Sequence, residues 1–228
     1  MEWITCEDIA TAERAAAELI ARQLTRAAGE RGRATLAISG GRTPWRMFER
    51  LAEQPLNWSQ LQLFQVDERI VPLAHEARNW QRFLASPLAS RIPSAQRHAM
   101  PVDIENPAEA AAHYAKSLVD WTGEPPVLDV VHLGLGEDGH TASLFAGDPL
   151  LNDSEHSVGV SRLYEGHRRL SLTLPTINRA RCIVWLVAGR SRQAAMTRLF
   201  AGDAAIVASR VQRDRATCIS DPDAAPAA

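Results

Sequence analysis

The chain has 228 residues, 46% of them hydrophobic and 23% charged, which is an ordinary globular composition with enough length to bury a full core. The formal net charge is −2 and the 25 basic residues are spread along the chain, which argues against a nucleic-acid surface. No hydrophobic run is long enough to span a bilayer, and the first residues lack the pattern of a signal peptide.

Lysine and cysteine usage narrows the chemistry further. Lys116 is the only lysine, so the G-K-[ST] motif of a phosphate-loop NTPase is absent and a Schiff-base mechanism is improbable. Cys6, Cys182 and Cys218 are few, odd in number and show no motif. We therefore expect reduced structural thiols in a cytoplasmic protein.

Helical and strand-like segments alternate along the chain. Helices are predicted by apolar spacing over 7–28, after Pro44, from Asn79, over 107–121 and over 191–200. Buried strands are predicted at 34–39, 61–66, 127–133, 182–189 and 216–220. "SVGVSR" and "RLSLTL" are interpreted as two shorter strands around a hairpin at "LYEGHR", and "HTASLF" as a helical turn.

Continuous apolar strands separated by amphipathic helices predict a three-layer α/β/α fold with a mostly parallel, Rossmann-like sheet and helices on both faces. With no internal repeat or linker, we expect a single domain over 1–228. Ligands of such sheets bind outside the carboxyl ends of the strands. Those ends carry "SGGRTP", "VDER", "LGLGEDGH" and "VAGRSR", so one cleft could gather all four segments.

Two of these segments have both a structural and a functional interpretation. In "SGGRTP", Gly40 and Gly41 could turn backbone N–H groups toward an anion, with Arg42 and Thr43 adding hydrogen bonds; an ordinary strand–helix turn explains the motif equally well. In "VDERIVP", Asp67, Glu68 and Arg69 fit either a solvated loop or the edge of a functional cleft. Their place after a buried strand favours the cleft.

The segment "GLGEDGHTASLF" has G-x-G-x-x-G spacing after a strand, as in a dinucleotide-binding turn. Glu137 and Asp138 would repel a pyrophosphate, however, and no acidic strand end follows at the expected distance of roughly 20 residues. The other interpretation centres on His140, a natural general base with an ordinary pKa near ~6.5. Asp138, two residues before it, could orient the ring. A capping histidine remains the structural alternative.

In this order the motifs "ISGGRTP", "VDERIVP" with "HEARNW", "HLGLGEDGHTASLF", "RRLSLTLPTINRA" and "CISDPDAA" resemble the 6-phosphogluconolactonase family. The resemblance extends from about Ile38 to Ala224, and "GEDGHTASLF" is its most specific part. It implies hydrolysis of 6-phosphoglucono-δ-lactone to 6-phosphogluconate in the oxidative pentose phosphate pathway, with no metal and no organic cofactor. It also implies a small-molecule sugar-phosphate lactone as the sole partner, without nucleic acid or membrane, and a monomer or small homo-oligomer.

The resemblance assigns roles to individual positions. His140 would activate the attacking water and Asp138 would orient His140. Arg69 would contact the substrate and stabilise developing charge. The substrate phosphate would be held by the remaining matched positions, which are Gly40, Gly41, Arg42, Thr43, Arg169 and Arg192. Arg192 stands where the family usually has lysine, so its role at the phosphate is open.

Two related functions are the alternatives. A glucosamine-6-phosphate deaminase would be expected to read D-E-Y where this chain has Asp67-Glu68-Arg69, and to show an F-N-E-P-like segment after D-G-H, where this chain has "HTASLF". A non-catalytic sugar-phosphate sensor on the same fold would be expected to carry a DNA-binding module, for which the sequence has no basic helix. The residues therefore favour the lactonase.

Overall fold

The computed structural model describes residues 1–227, within which the chain forms ten strands. They are β1 (Glu2–Thr5), β2 (Ala34–Ile38), β3 (Leu61–Gln65), β4 (Asp67–Arg69), β5 (Arg97–His98), β6 (Val130–Leu133), β7 (Val158–Val160), β8 (Arg169–Leu172), β9 (Cys182–Val187) and β10 (Ala216–Ser220). Seven of them form one sheet in the order β1-β10-β9-β6-β2-β3-β5, and every neighbouring pair in it is parallel. All residues of β2, β3, β6 and β10 are buried, as the continuous apolar runs predict.

The same residues contain seven α-helices. They are α1 (Ile9–Arg31), α2 (Trp45–Ala52), α3 (Asn79–Leu84), α4 (Pro87–Arg91), α5 (Pro107–Thr122), α6 (Leu174–Asn178) and α7 (Gln193–Ala201). The bounds of α1 follow from its caps: Asp8 accepts a 2.7 Å hydrogen bond from the Thr11 amide, and Gly32 ends the helix at φ +69°. None of these helices is both long and apolar enough to cross a bilayer.

The core lies in two layers, one on each face of the parallel sheet. On one face, α1, α2 and α4 pack against the sheet around Ile20, Phe48 and Leu88. On the other face, α5 and α7 pack around Tyr114 and Leu199. The predicted three-layer α/β/α fold with a mostly parallel sheet is therefore confirmed.

A small antiparallel sheet of order β4-β8-β7 lies beside this framework. It includes the predicted hairpin strands as β7 and β8. The charged segment Asp67–Arg69, interpreted from sequence as the end of the preceding strand, is a separate strand that pairs with β8. This pairing brings "VDER" and "RRLSL" into direct contact.

Two local expectations were wrong. β1 was not predicted, because its four residues take a strand conformation through pairing with β10 rather than through an apolar pattern of their own. "HTASLF" is not a helical turn: Ala142 has φ +51°, which a right-handed helix does not allow, and Thr141 and Leu144 form an isolated antiparallel bridge.

The sheet order reverses direction between β2 and β6. The chain leaves β2 toward β3 and β5 on one side, whereas β6, β9 and β10 extend the sheet on the other side. The loops after β2 and β6 therefore separate at the sheet edge and leave a crevice, the usual ligand position in an open α/β sheet.

Candidate active site

A cleft of ≈ 870 Å³, partly open to solvent, lies in this crevice. Eight of the nine predicted site residues line it: Gly40, Gly41, Arg42, Thr43, Arg69, His140, Arg169 and Arg192. The ninth, Asp138, contacts His140 directly. The cleft thus joins loops that follow β2, β6 and β9 with two strands of the small sheet.

The turn after β2 lines the cleft and has a row of backbone amides without an acceptor. Within the described part of the chain, the N–H groups of Gly40, Gly41, Arg42 and Thr43 donate to no other protein group. The Gly41 carbonyl accepts a 2.6 Å hydrogen bond from the indole Nε1 of Trp45. Helix α2 begins at Trp45, so its positive N-terminal end adjoins these amides. The turn is suited to bind an anion.

The buried carboxylate of Glu68 fixes the part of the cleft that contains Arg69 and Asn79. It is fully buried and accepts hydrogen bonds from the amides of Arg69, Asn79 and Trp80, at 2.9, 2.9 and 2.8 Å. These bonds tie β4 to the start of α3. Asn79 then accepts a 3.0 Å hydrogen bond from Arg69 Nη1, which also donates to the Ala77 carbonyl at 2.9 Å. Glu68 therefore acts through the backbone and leaves Asp67 and Arg69 as the cleft-lining charges of this motif.

Asp67 has a different partner. Its carboxylate accepts a 2.6 Å hydrogen bond from the Ser143 hydroxyl, and the Ser143 amide donates to the Ser171 hydroxyl at 3.2 Å. Asp67 and Ser171 are themselves paired across β4 and β8. The three residues link the small sheet to the segment that follows His140, which holds that segment in place.

Asp138 and His140 form a close pair at the cleft. Asp138 Oδ1 lies 2.6 Å from His140 Nδ1 and also accepts a 3.1 Å hydrogen bond from the His140 amide. Partial burial opposes ionisation of Asp138, but its hydrogen bonds and the charge of His140 outweigh burial, so the pKa of the carboxyl lies below its ordinary value. An ionised carboxylate can only accept, so Nδ1 carries the ring proton and Nε2 is the free acceptor. That is the tautomer a general base requires.

Two glycines shape the loop that carries this pair. A Cβ on Gly136 would lie 2.2 Å from His140 Nδ1, and a Cβ on Gly139, at φ +83°, would lie 2.6 Å from the Ile206 Cβ. The Gly136 amide also donates to the His140 carbonyl at 2.8 Å. These glycines are required for packing inside the protein, which explains the second and third glycines of the G-x-G-x-x-G spacing without a dinucleotide.

An aromatic pair borders His140. The rings of Phe145 and Tyr164 stack at 3.8 Å between centroids, and each ring also contacts the imidazole, at 5.0 and 5.6 Å. The Arg169 guanidinium lies 5.2 and 5.3 Å from the two ring centroids. Burial lowers the pKa of Arg169, as does the nearby charge of Arg69, while Asp67 opposes the shift. Even with a lowered pKa, the Arg169 side chain stays protonated, as arginine does in proteins.

Arg192 lines the cleft but is engaged with protein groups. Its Nε donates to the Leu135 carbonyl at 3.0 Å, and its Nη1 forms an ion pair with Glu137 and a hydrogen bond with the Ser191 hydroxyl. The position that the family usually fills with lysine is therefore occupied by an arginine whose charge is already partnered.

The sequence reasoning missed Tyr164, Phe145 and Asn79 as cleft residues. Asn79 lies in the motif "HEARNW" and Tyr164 lies in the predicted hairpin, but neither residue belongs to a sequence pattern that indicates a chemical role. As for metals, no three His, Cys, Asp or Glu side chains of residues 1–227 converge in a way that could hold an ion.

Comparison with known proteins gives a consistent family. The family model described as "Glucosamine-6-phosphate isomerases/6-phosphogluconolactonase" matches residues 7–219. The chain is 40% identical over 191 residues to the 6-phosphogluconolactonase of Synechocystis sp., a match that covers 81% of this chain and 79% of the relative.

Solved structures agree with the sequence match. The 6-phosphogluconolactonase from Trypanosoma cruzi superposes with a TM-score of 0.85 at 25% identity, covering 98% of this chain and 95% of the other. A monomeric glucosamine-6-phosphate deaminase also superposes, with a TM-score of 0.83 and coverage of 98% of both chains, but at 18% identity it shows the fold alone. From the family match, the sequence relatives and the shared fold together, this chain belongs to the glucosamine-6-phosphate isomerase/6-phosphogluconolactonase family.

Proposed function

We propose that this chain is a 6-phosphogluconolactonase that hydrolyses 6-phosphoglucono-δ-lactone to 6-phosphogluconate in the oxidative pentose phosphate pathway, with His140 as the general base. The observation that carries the mechanism is the 2.6 Å contact between His140 Nδ1 and Asp138 in the cleft. The activity itself is that named for the curated relatives, including the Synechocystis protein at 40% identity.

The chemistry needs one water and one positioned base. Nε2 of His140 takes a proton from water as its oxygen attacks the lactone carbonyl, and Asp138 stabilises the imidazolium that forms. The carbon–oxygen bond of the ring then breaks, and the imidazolium returns the proton to the leaving ring oxygen. A single general base contributes about 10²–10⁴-fold to such a reaction. That is sufficient for a lactone, which already hydrolyses slowly unaided.

Charged groups around the base support binding of a sugar phosphate. Arg69 contacts the lactone end and stabilises negative charge on the carbonyl oxygen. The free amides of the turn 40–43 and the Arg42 side chain hold the phosphate, and Arg169 adds a second guanidinium. Arg192 is the weakest member of this set, because Glu137 competes with the substrate for its charge.

The two alternative functions have less support. The deaminase neighbour shares the fold at only 18% identity, and the F-N-E-P-like segment expected of a deaminase after D-G-H has no counterpart in "HTASLF". A sugar-phosphate sensor would not need the Asp138–His140 pair in the tautomer of a base.

The same proposal extends to the setting of the enzyme. The described residues, 1–227, form a single cytoplasmic domain that works as a monomer or small homo-oligomer on a small molecule, without cofactor, nucleic acid or membrane; the last residue of the predicted domain, 228, lies outside them. The free thiols of Cys6, Cys182 and Cys218 support a reducing compartment. Light scattering of the purified protein would determine the oligomeric state.

The decisive experiment follows acid release from freshly generated 6-phosphogluconolactone at pH 7. Wild type is expected to exceed the spontaneous rate, and His140→Ala to lose about 10²–10⁴-fold in kcat with little change in KM. His156→Ala is the matched control, because His156 also pairs with an aspartate but lies outside the cleft. A wild-type rate no faster than the uncatalysed one would overturn the proposal, and ammonia release from glucosamine 6-phosphate would favour the deaminase.

A further inference from the structure

Tyr164 contacts the Asp138–His140 pair from the hairpin that connects β7 to β8. Its hydroxyl donates a 3.2 Å hydrogen bond to Asp138 Oδ2, the carboxylate oxygen that does not hold His140. Its ring stacks on Phe145 and meets the His140 ring edge-on at 5.6 Å. One side chain therefore touches both members of the Asp138–His140 pair.

The hairpin between β7 and β8 fixes the position of Tyr164. Tyr164 and His167 form a two-way backbone bridge, with hydrogen bonds of 3.0 and 3.1 Å, around a two-residue turn. The turn residues Glu165 and Gly166 have φ of +47° and +79°, the geometry of a tight hairpin turn. The Tyr164 carbonyl also accepts a 3.1 Å hydrogen bond from Arg169 Nη1. Tyr164 is thus held at its backbone and by its ring, which leaves the hydroxyl aimed at Asp138.

The charges around Tyr164 are few and come from two elements. Asp138 and His140 face it from the loop after β6, and Glu165 and Arg169 face it from its own hairpin. Burial and the charge of Asp138 raise the pKa of Tyr164, so its hydroxyl stays protonated and can only act as the donor to the carboxylate. Donation by Tyr164 contributes, after the stronger effects of His140, to the low pKa of Asp138.

We propose that Tyr164 is a positioning residue of the lactonase reaction: its hydroxyl holds the Asp138 carboxylate in the plane of the His140 ring and takes up part of the carboxylate's negative charge. This proposal rests on the function proposed above. Two consequences follow. Without the hydroxyl, Oδ2 of Asp138 loses its partner, so the carboxylate stays beside Nδ1 but orients the base less well. In addition, the full carboxylate charge then acts on the ring and favours the imidazolium, which cannot act as a base.

Tyr164→Phe tests this directly, because it removes the hydroxyl and keeps the stacked ring. We expect kcat for the lactone to fall about 3–10-fold, the range of a typical net hydrogen bond, with KM within about twofold. The acid limb of the kcat/KM profile should move to higher pH by about 0.3–0.5 unit. The thermal midpoint should stay within about 2 °C of wild type, since the buried contacts remain.

Leu163→Ala is the matched control, because Leu163 is the preceding hairpin residue, is 66% exposed and lies outside the cleft. It should leave kcat and the acid limb unchanged. Unchanged kcat and acid limb in Tyr164→Phe would overturn the proposal, as would a loss of kcat with no movement of the limb.

A measurement independent of activity separates this proposal from the proposed function. The ring Cε1–H signal of His140 is identified by its loss in His140→Ala and followed by NMR from pH 5 to 9. Its titration midpoint should be higher in Tyr164→Phe than in wild type. A shifted midpoint in a protein without lactonase activity would retain the Tyr164 contact and reject the function, whereas an unshifted midpoint would reject the Tyr164 role.

Discussion

Arg69 and Arg169 lie directly opposite each other on the antiparallel strands β4 and β8, with both side chains lining the cleft. Like charges at facing positions of a sheet repel and destabilise it. Asp67, two residues before Arg69, offsets part of this repulsion but is already bonded to Ser143. A bound anion would relieve the remainder, so we propose that this pair acts as a charge clamp for the substrate.

If Arg69 and Arg169 form this clamp, Arg69→Gln should lower kcat/KM without a comparable loss of folding stability. Loss of one charge-assisted contact costs about 1.5–3 kcal/mol, so kcat/KM should fall about 10–150-fold. The 6-phosphogluconate-dependent rise in thermal midpoint should shrink as well. Steady-state kinetics and thermal shift measure the two effects. Arg168→Gln, at an exposed neighbouring arginine outside the cleft, should change neither. Equal ligand-induced shifts in the Arg69 variant and wild type would contradict the clamp.

Asp138→Asn is expected to lower kcat about 10–100-fold, because an amide no longer enforces the Nδ1–H tautomer of His140. The sign of the pH effect is opposite to that of Tyr164→Phe. Removing the negative charge beside the ring disfavours the imidazolium, so the acid limb should move to lower pH. In wild type, Asp138 has a pKa below its ordinary value and stays ionised throughout the working range, so acid inactivation reports the ring.

A matched control exists for this carboxylate. Asp153 pairs with His156 Nδ1 at 3.0–3.1 Å, as Asp138 pairs with His140, but lies outside the cleft. Asp153→Asn should leave the pH–rate profile unchanged. An acid limb that stays in place in Asp138→Asn would argue against His140 as the titrating base.

Because of His132 on β6, we expect the folding stability to fall at acid pH. It is buried, neither ring nitrogen has a hydrogen-bond partner within the described residues, and burial lowers its pKa to about 3. The unfolded chain, with a histidine pKa near ~6.5, binds the proton more readily. Stability should therefore fall as pH drops from about 6.5 toward 3, by up to about 1.4 kcal/mol per unit.

His132→Leu removes this group without a large change of volume. The variant should be at least as stable as wild type at pH 7, and its advantage should grow as the pH falls to 5. Urea denaturation at both pH values measures the difference. His113→Leu, on the exposed face of α5, should show no such growth. If the free energies of unfolding of wild type and His132→Leu differed by the same amount at pH 7 and pH 5, His132 would not take up a proton on unfolding.

We expect Glu137 to compete measurably with the substrate phosphate for the Arg192 guanidinium. Glu137→Gln frees the guanidinium and should lower KM by up to about fivefold, the range of a partly exposed ion pair. Arg192→Ala should raise KM with kcat little changed. Arg190→Ala, in the same turn but 84% exposed and paired with Asp223, is the control. Identical KM values in all three variants would exclude Arg192 from the substrate site.

Five of the seven parallel strands are predicted from the sequence, because a strand buried on both faces must be a continuous apolar run. The short edge strands β1 and β5 are not predicted. Eight of the nine predicted site residues line the cleft, since residues such as Gly40, Arg69, His140 and Arg192 follow or end a strand, but other lining residues, Tyr164 and Phe145 among them, are not predicted. β4 was missed because three charged residues form a strand only when β8 offers a partner.

Tyr164 illustrates the remaining limit. Its contact with Asp138 spans 26 residues and depends on a hairpin folding over the cleft. The sequence predicts a hairpin at "LYEGHR", between two short strand-like segments. No periodic pattern, however, indicates where a hairpin's side chains point in relation to another loop. Long-range placement of this kind is a property of the packed fold.

The glycines of the loop after β6 have a consequence for mutational scanning. At Gly136 and Gly139 an added methyl group would collide with side chains of the protein itself, His140 and Ile206. In a dinucleotide turn the second glycine of this spacing, which corresponds to Gly136, instead lets the backbone approach the ligand, so a substitution there weakens ligand binding in a chain that still folds. In this chain, variants at both glycines should be depleted by loss of folded protein, even when no ligand is present and no activity is selected. An abundance screen would therefore distinguish the two uses of one sequence pattern.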